Sequence, residues 1–149
     1  MDNLQLAPII IGKLLNIGAM LHRHGNRVLL PFGINQQQFS IFFEIAKARK
    51  VNQKEMINRL LLEKAHVSKV VNKLHKMQLI TITTSVEDKR SSWLEPTPKG
   101  KQLLSKCMDI FEKLNKEWLE AIDDKQLNSI LKSLTHLQAV FEDKIQRKK

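Results

Sequence analysis

Between Asn52 and Pro96 the apolar residues change period, and no other feature constrains the fold of this chain as tightly. Met56, Ile57 and Leu60 share one helical face, and after a short gap Val67, Val70, Val71 and Leu74 follow at i, i+3, i+4 and i+7. Asn52 with Glu55 three residues on has the form of a capping box, so the first of these helices is predicted to start there. The second is predicted over residues 65–76. Then Ile80, Ile82 and Thr84 alternate with Thr81 and Thr83, and beyond a polar stretch Ser92, Leu94 and Pro96 alternate with Trp93 and Glu95. A period of two predicts two strands, joined as a hairpin by residues 85–90. Two short helices around a tight turn, followed by a ribbon, have the layout of a helix-turn-helix with a wing.

The flanks are helical. Five Gly and four Pro in 149 residues, without repeats or low-complexity runs, favour long helices with short connections. A first helix is predicted over residues 8–23, with Ile10, Leu14, Ile17 and Leu21 on one stripe, Ile11 and Leu15 beside it, Pro8 in its first turn and Gly25 as its stop. After Pro31-Phe32-Gly33, Asn35 can cap a second helix to about Ala48 that buries Phe39, Phe42, Phe43 and Ala46. Thr97-Pro98 starts a long helix predicted to bury Leu104, Cys107, Met108, Phe111, Leu114, Trp118 and Ile122. Asp123-Asp124 interrupts it. A last helix spaces Leu127, Ile130, Leu134, Leu137, Phe141 and Ile145 at steps of three and four, a seam that fits either another subunit or its own. The expected fold is therefore mainly α with a small β-hairpin wing.

Charge narrows the partner. Lys and Arg number 25 against 15 Asp and Glu, a formal excess of +10 that favours a polyanion such as nucleic acid or an anionic membrane surface. The longest apolar stretch, residues 4–21, contains Lys13, Asn16, Pro8 and two glycines, so no membrane span or secretory signal is expected and the protein is placed in the cytoplasm. Cys107 is the only cysteine, which excludes an internal disulfide and suits a reducing compartment. His22, His24, His66, His75 and His136 are scattered, so neither a metal site nor a cofactor is expected. No phosphate-binding Gly-rich loop, nucleophile elbow or zinc-protease helix is present, and an enzyme is not expected.

On a wheel of residues 65–76, the side opposite the valines holds Ala65, Lys69, Asn72 and Lys76, flanked by His66, Ser68 and Lys73, without a carboxylate. The face is small and neutral at its start and basic further along. That is the distribution of a helix that meets base edges first and phosphates later. At the hairpin tip Lys89 and Arg90 could enter a minor groove, with Asp88 holding Arg90. Residues 64–101 carry eight basic and three acidic side chains, so half of the charge excess lies in a quarter of the chain.

Leu62-Glu63-Lys64-Ala65-His66-Val67-Ser68-Lys69-Val70-Val71-Asn72-Lys73-Leu74 resembles the recognition segment of the MarR (multiple antibiotic resistance regulator) family. Asp88-Lys89-Arg90 followed by Thr97-Pro98-Lys99-Gly100 resembles its wing signature, D-x-R then T-x-x-G. Ile34-Asn35 with Gln38-Phe39, and Val51-Asn52 with Glu55, are similar to its helix starts. The likeness covers about residues 34–104. It departs at Gln78, where the family has a turn Gly, at Ile82 in place of a frequent Arg, and at Pro96 in place of Leu.

The resemblance implies a single domain over residues 1–149: a winged lobe at about 34–104, with helices at 4–24 and 105–147 that interlock two copies. It implies a homodimeric transcription regulator of double-stranded DNA, a repressor on a near-palindromic operator. The residues assigned to DNA are Asn52, Lys64, Ala65, His66, Ser68, Lys69, Asn72, Lys73, Lys76, Asp88, Lys89 and Arg90. A small aromatic or phenolic effector is implied as well, with His22, Arg23, Phe39 and Phe43 as its crevice. Thiol-based peroxide sensing is not expected, because Cys107 lies beyond the wing and no Tyr exists to orient a thiolate. The rival reading is a winged-helix module that binds protein or RNA, since the fold does not fix the partner.

Overall fold

A computed structural model describes the chain apart from Leu61, Ser85, residues 88–90 and residues 147–149. Two compact units make it up, Met1–Met108 and Asp109–Lys149.

The first helix, α1 (Asn3–Leu29), is longer at both ends than its sequence pattern. Asp2 and Gln5 form a reciprocal capping box, Gln5 N donating to Asp2 Oδ1 at 2.9 Å and Asp2 N to Gln5 Oε1 at 3.0 Å. Pro8 therefore stands inside the helix rather than opening it. Gly25 does not stop it either. That glycine is buried in the last turns, where a Cβ would collide with the side-chain amide of Gln36. The stop comes later, in a 3-10 turn (Leu30–Phe32) closed by Gly33, whose φ of 76° is the left-handed conformation that a residue without Cβ adopts freely. By length and composition the stretch Asn3–Phe32 could cross a membrane, which the interrupted run of residues 4–21 does not lead one to expect.

Helix α2 (Gln36–Ala48) is held at its start from two directions. Asn35 and Gln38 form a second capping box, and Asn26 Oδ1 on α1 accepts from Gln36 N at 2.8 Å. Its buried residues are Phe39, Ile41, Phe42 and Ile45, while Phe43 and Ala46 are only half-buried. One helical step separates Phe43 from Phe42, enough to move it to the edge of the inward stripe.

A strand that the sequence pattern does not disclose, β1 (Val51–Asn52), precedes α3 (Gln53–Leu60) and α4 (Lys64–Lys76). With β2 (Ile80–Thr84) and β3 (Ser92–Pro96) it makes an antiparallel sheet in the order β1-β3-β2, with Val51 opposite Leu94 and Ile82 opposite Leu94 on the other side. Two residues are too few to show a period. Because Asn52 is still in the strand, its Oδ1 accepts from Lys54 N at 2.9 Å rather than from Glu55, and the predicted capping box gives way to a shorter turn.

Helix α5 (Pro98–Leu119) and helix α6 (Asp124–Lys144) complete the chain, the latter capped by Asp123 with Gln126. The Asp pair thus starts a helix as well as ending one. In α5 only Gly100 and Cys107 are buried. Leu104, Phe111, Leu114 and Ile122 are half-buried, and Met108 and Trp118 are exposed, so the expected burial of this stripe is incomplete. The sealed core lies in the first unit, built around Leu29, Ile41, Phe42, Ile45, Leu74 and Leu94.

Candidate nucleic-acid interface

Helix α4 presents two opposed faces. Val67, Val70, Val71 and Leu74 are buried against α2 and β2, and the opposite side leaves Ala65, Lys69, Asn72, Lys73 and Lys76 exposed, with His66 and Ser68 half-buried at its margin. Lys64, at the first position, is exposed as well. Among the described residues no carboxylate pairs with Lys64, Lys69, Lys73 or Lys76, so their charge is directed at solvent. Ion pairs occur elsewhere, as at Lys50 and Glu95, 3.3 Å apart, where Lys50 Nζ also lies 5.5 Å from the Trp93 ring.

Neighbouring helices hold parts of this face in place. Gln53, at the start of α3, donates from Nε2 to Ser68 Oγ at 3.2 Å, which leaves the Ser68 hydroxyl proton available to an outside acceptor. Gln38, at the start of α2, accepts from Lys73 Nζ at 3.2 Å. Between these elements lies an open recess of about 220 Å³ lined by Asn35, Gln37, Gln38, His66, Lys69, Val70 and Lys73. One of its lining residues, His66, buries its Nε2 with no hydrogen-bond partner among the described residues. The start of α2, two lysines and an imidazole therefore meet around one recess.

The far end of α4 closes in a Schellman motif. Gln78 N donates to His75 O at 2.9 Å and Leu79 N to Leu74 O at 3.0 Å, while the apolar pair Leu74 and Leu79 is buried beneath. Gln78, standing where a turn Gly is usual in the resemblance, takes φ 62° itself. A left-handed L-residue costs about 1–2 kcal/mol, which the surrounding hydrogen bonds must offset.

The other assigned residues are distributed as follows. Asn52 is half-buried and occupied with its turn onto Lys54. Asp88, Lys89 and Arg90 lie outside the described residues, and of the connection between β2 and β3 Val86 and Glu87 are described as exposed. His22 and Arg23 are exposed on α1, and the Phe39 and Phe43 rings stack with centroids 6.3 Å apart. Among the described residues there is no group of three or more His, Cys, Asp or Glu that could hold a metal ion. Gln38 and Gln53 were not singled out as orienting residues by sequence. The N-x-x-Q spacing of Asn35 and Gln38 exposes a cap, but its second use, on Lys73, depends on two helices 35 residues apart in sequence.

Two short helices around a tight turn, the second buried on its valines and bare on a basic face, with an antiparallel ribbon behind, define a winged helix-turn-helix. The MarR family model matches residues 32–91. An HTH-type transcriptional regulator of Staphylococcus aureus is 34% identical over 84 residues, 56% of this chain and 58% of the relative. YhbI of Bacillus subtilis, also an HTH-type transcriptional regulator, is 28% identical over 113 residues, 74% of this chain and 73% of the relative. The match thus spans little more than half the length of the Staphylococcus aureus relative. Among solved structures, Staphylococcus aureus MarR in complex with salicylate and kanamycin superposes with a TM-score of 0.84 at 23% identity, covering 94% of this chain and 95% of that one. A mutant MarR from E. coli complexed with operator DNA superposes at 0.78 with 18% identity, covering 91% and 99%. Over residues 32–91 the chain is thus similar to the MarR family, and the curated relatives it matches are transcription regulators.

Proposed function

We propose that this chain is a sequence-specific DNA-binding transcription regulator that works as a cytoplasmic homodimer on a near-palindromic operator. The observation that carries the reading is the carboxylate-free outer face of α4, set over a wholly apolar inner one. Such a helix enters a major groove with its small first turn toward base edges and Lys69, Lys73 and Lys76 toward phosphates. Ser68 and Asn72 carry direct readout, and Lys64, Lys69, Lys73 and Lys76 carry charge. Asn52 lies on the approach to the groove, and Arg90 with Lys89 and Asp88 reads the adjacent minor groove. Exposed apolar residues along α1 and α6 support pairing of two copies, which would place two α4 helices one turn of duplex apart. A body of that size seated over adjacent grooves occludes the site to other proteins, so repression is the assigned outcome.

Salt titration tests this reading. Binding to duplex DNA should weaken with log salt at a slope of roughly −0.9 per neutralised phosphate. Preference for an RNA hairpin, or a partner insensitive to nucleic acid, would transfer the face to the rival module.

The same proposal includes relief by a small aromatic or phenolic anion at His22, Arg23, Phe39 and Phe43, supported by the stacked ring pair and by a fold shared with a salicylate-bound MarR. Aromatic acids should then raise the melting temperature and lower operator affinity together; no change in either removes the effector from this site.

A further inference from the structure

The T-x-x-G stretch Thr97-Pro98-Lys99-Gly100 has no contact assigned to it in the DNA reading, yet its hydrogen bonds converge on one place. The three residues that follow α4 are Met77, Gln78 and Leu79, and each offers its carbonyl to the start of α5. Lys99 Nζ donates to Met77 O at 3.1 Å, Thr97 Oγ1 to Gln78 O at 2.6 Å, and Thr97 N to Leu79 O at 3.0 Å. Thr97 Oγ1 in turn accepts from Gly100 N at 2.9 Å, so one hydroxyl joins the α5 cap to the α4 exit. Gly100 is buried, and a Cβ there would collide with the Leu79 carbonyl and crowd the Phe42 ring. The first turn of α5 therefore docks backbone against backbone, at a distance only glycine permits.

We infer that Thr97, Lys99 and Gly100 are positioning residues that fix the exit of α4 and so set the angle at which its outer face is presented. The reasoning rests on the DNA-binding role proposed above. A helix of 13 residues is roughly 20 Å long at about 1.5 Å per residue, so a 10° tilt about its exit displaces its first turn by roughly 3 Å. Hydrogen bonds to base edges fail over far smaller displacements. Attraction to phosphates tolerates them. Loosening the clamp should thus erode discrimination between sequences while leaving general DNA affinity in place. A residue that only stabilises the fold would lower both in proportion to the folded fraction.

The experiment uses the full chain as wild type, Thr97→Val and Thr97→Ser. Valine keeps the branched shape and removes both hydroxyl bonds; serine restores them. A duplex selected by the wild type from a random pool is compared with a scrambled duplex, and backbone amide shifts are recorded for each variant without DNA. Thr97→Val should lower the ratio of selected to scrambled affinity by about tenfold or more, with scrambled affinity within about twofold, and Thr97→Ser should restore the ratio. Amide shifts should move along α4 as far as Ser68 in Thr97→Val and return in Thr97→Ser. An unchanged ratio in Thr97→Val, or shifts confined to residues 77–100, would overturn the inference. If the wild type selects no duplex, the DNA reading fails, and the shifts alone then decide whether the clamp positions α4.

Discussion

The winged lobe and the long helices treat their apolar residues in opposite ways. From Leu29 to Leu94 the chain seals Leu29, Ile41, Phe42, Ile45, Leu74 and Leu94 to essentially zero exposure. Helix α1 leaves Leu15 at 69% and Leu21 at 62%, and helix α6 has no buried residue at all, with Leu131 at 65%. A lobe that buries its own core can hold its shape alone. A helix with an uncovered apolar stripe gains its stability from whatever covers it, and under the proposed dimer that is a second copy, which makes stability depend on concentration.

The sharpest way to break this contrast is to charge the uncovered stripe. Leu15→Asp should leave the lobe folded by its amide spectrum but produce a monomer in sedimentation at micromolar concentration, with operator affinity reduced by about 10²–10⁴ through loss of the second half-site. A variant that stays dimeric, or a monomer that binds as tightly as the wild type, would sever α1 from assembly. In the sealed region Leu74→Ala should instead cost about 2–5 kcal/mol in denaturant unfolding, because the cavity beneath α4 cannot collapse fully. A loss well below that range would show the lobe core to be less independent than its burial indicates.

Smaller effects separate reading from folding. Arg90→Ala should cost about 1–3 kcal/mol of operator binding with the dimer intact, and equal affinity in a binding titration would remove the wing from recognition. Lys73→Ala should weaken all duplexes evenly and reduce the salt slope by about one unit. A loss confined to one sequence would give Lys73 a base instead of a phosphate.

The smallest effect concerns Cys107, fully buried on α5, whose thiol is pushed above its ordinary pKa by burial. The folded chain holds that proton more tightly than the unfolded one, so the associated stability is complete below the unfolded pKa of about 8.5 and declines as pH rises through the folded value. Alkylation at pH 8 should therefore be slow until the protein unfolds. Rapid labelling of the native protein would show that this end of the first unit opens.

How much of this was legible beforehand depends on the range of the interaction. The α4 faces could be read from Val67, Val70, Val71 and Leu74 because helical period and burial coincide there. Gly25 was misread as a stop because nothing local distinguishes a glycine that ends a helix from one that lets Gln36 approach; only the packing of α2 on α1 does. Strand β1 escaped because two residues carry no period, and Asn52, held in that strand, caps Lys54 instead of pairing with Glu55. Gln78 showed as a departure from the family pattern, but its left-handed backbone and the three carbonyls held by α5 follow from residues about twenty positions away.

The helical segments, the β2–β3 hairpin, the basic face of α4 and the excess of positive charge were determined by the amino-acid sequence itself, since each follows from spacing and composition within one segment. Which glycines permit close approach, which side chains orient Ser68 and Lys73, and how α5 grips the end of α4 were decided only by the tertiary structure. Those contacts join residues 11 to 35 positions apart, and whether such pairs meet is a matter of how finished elements pack and not of any local preference.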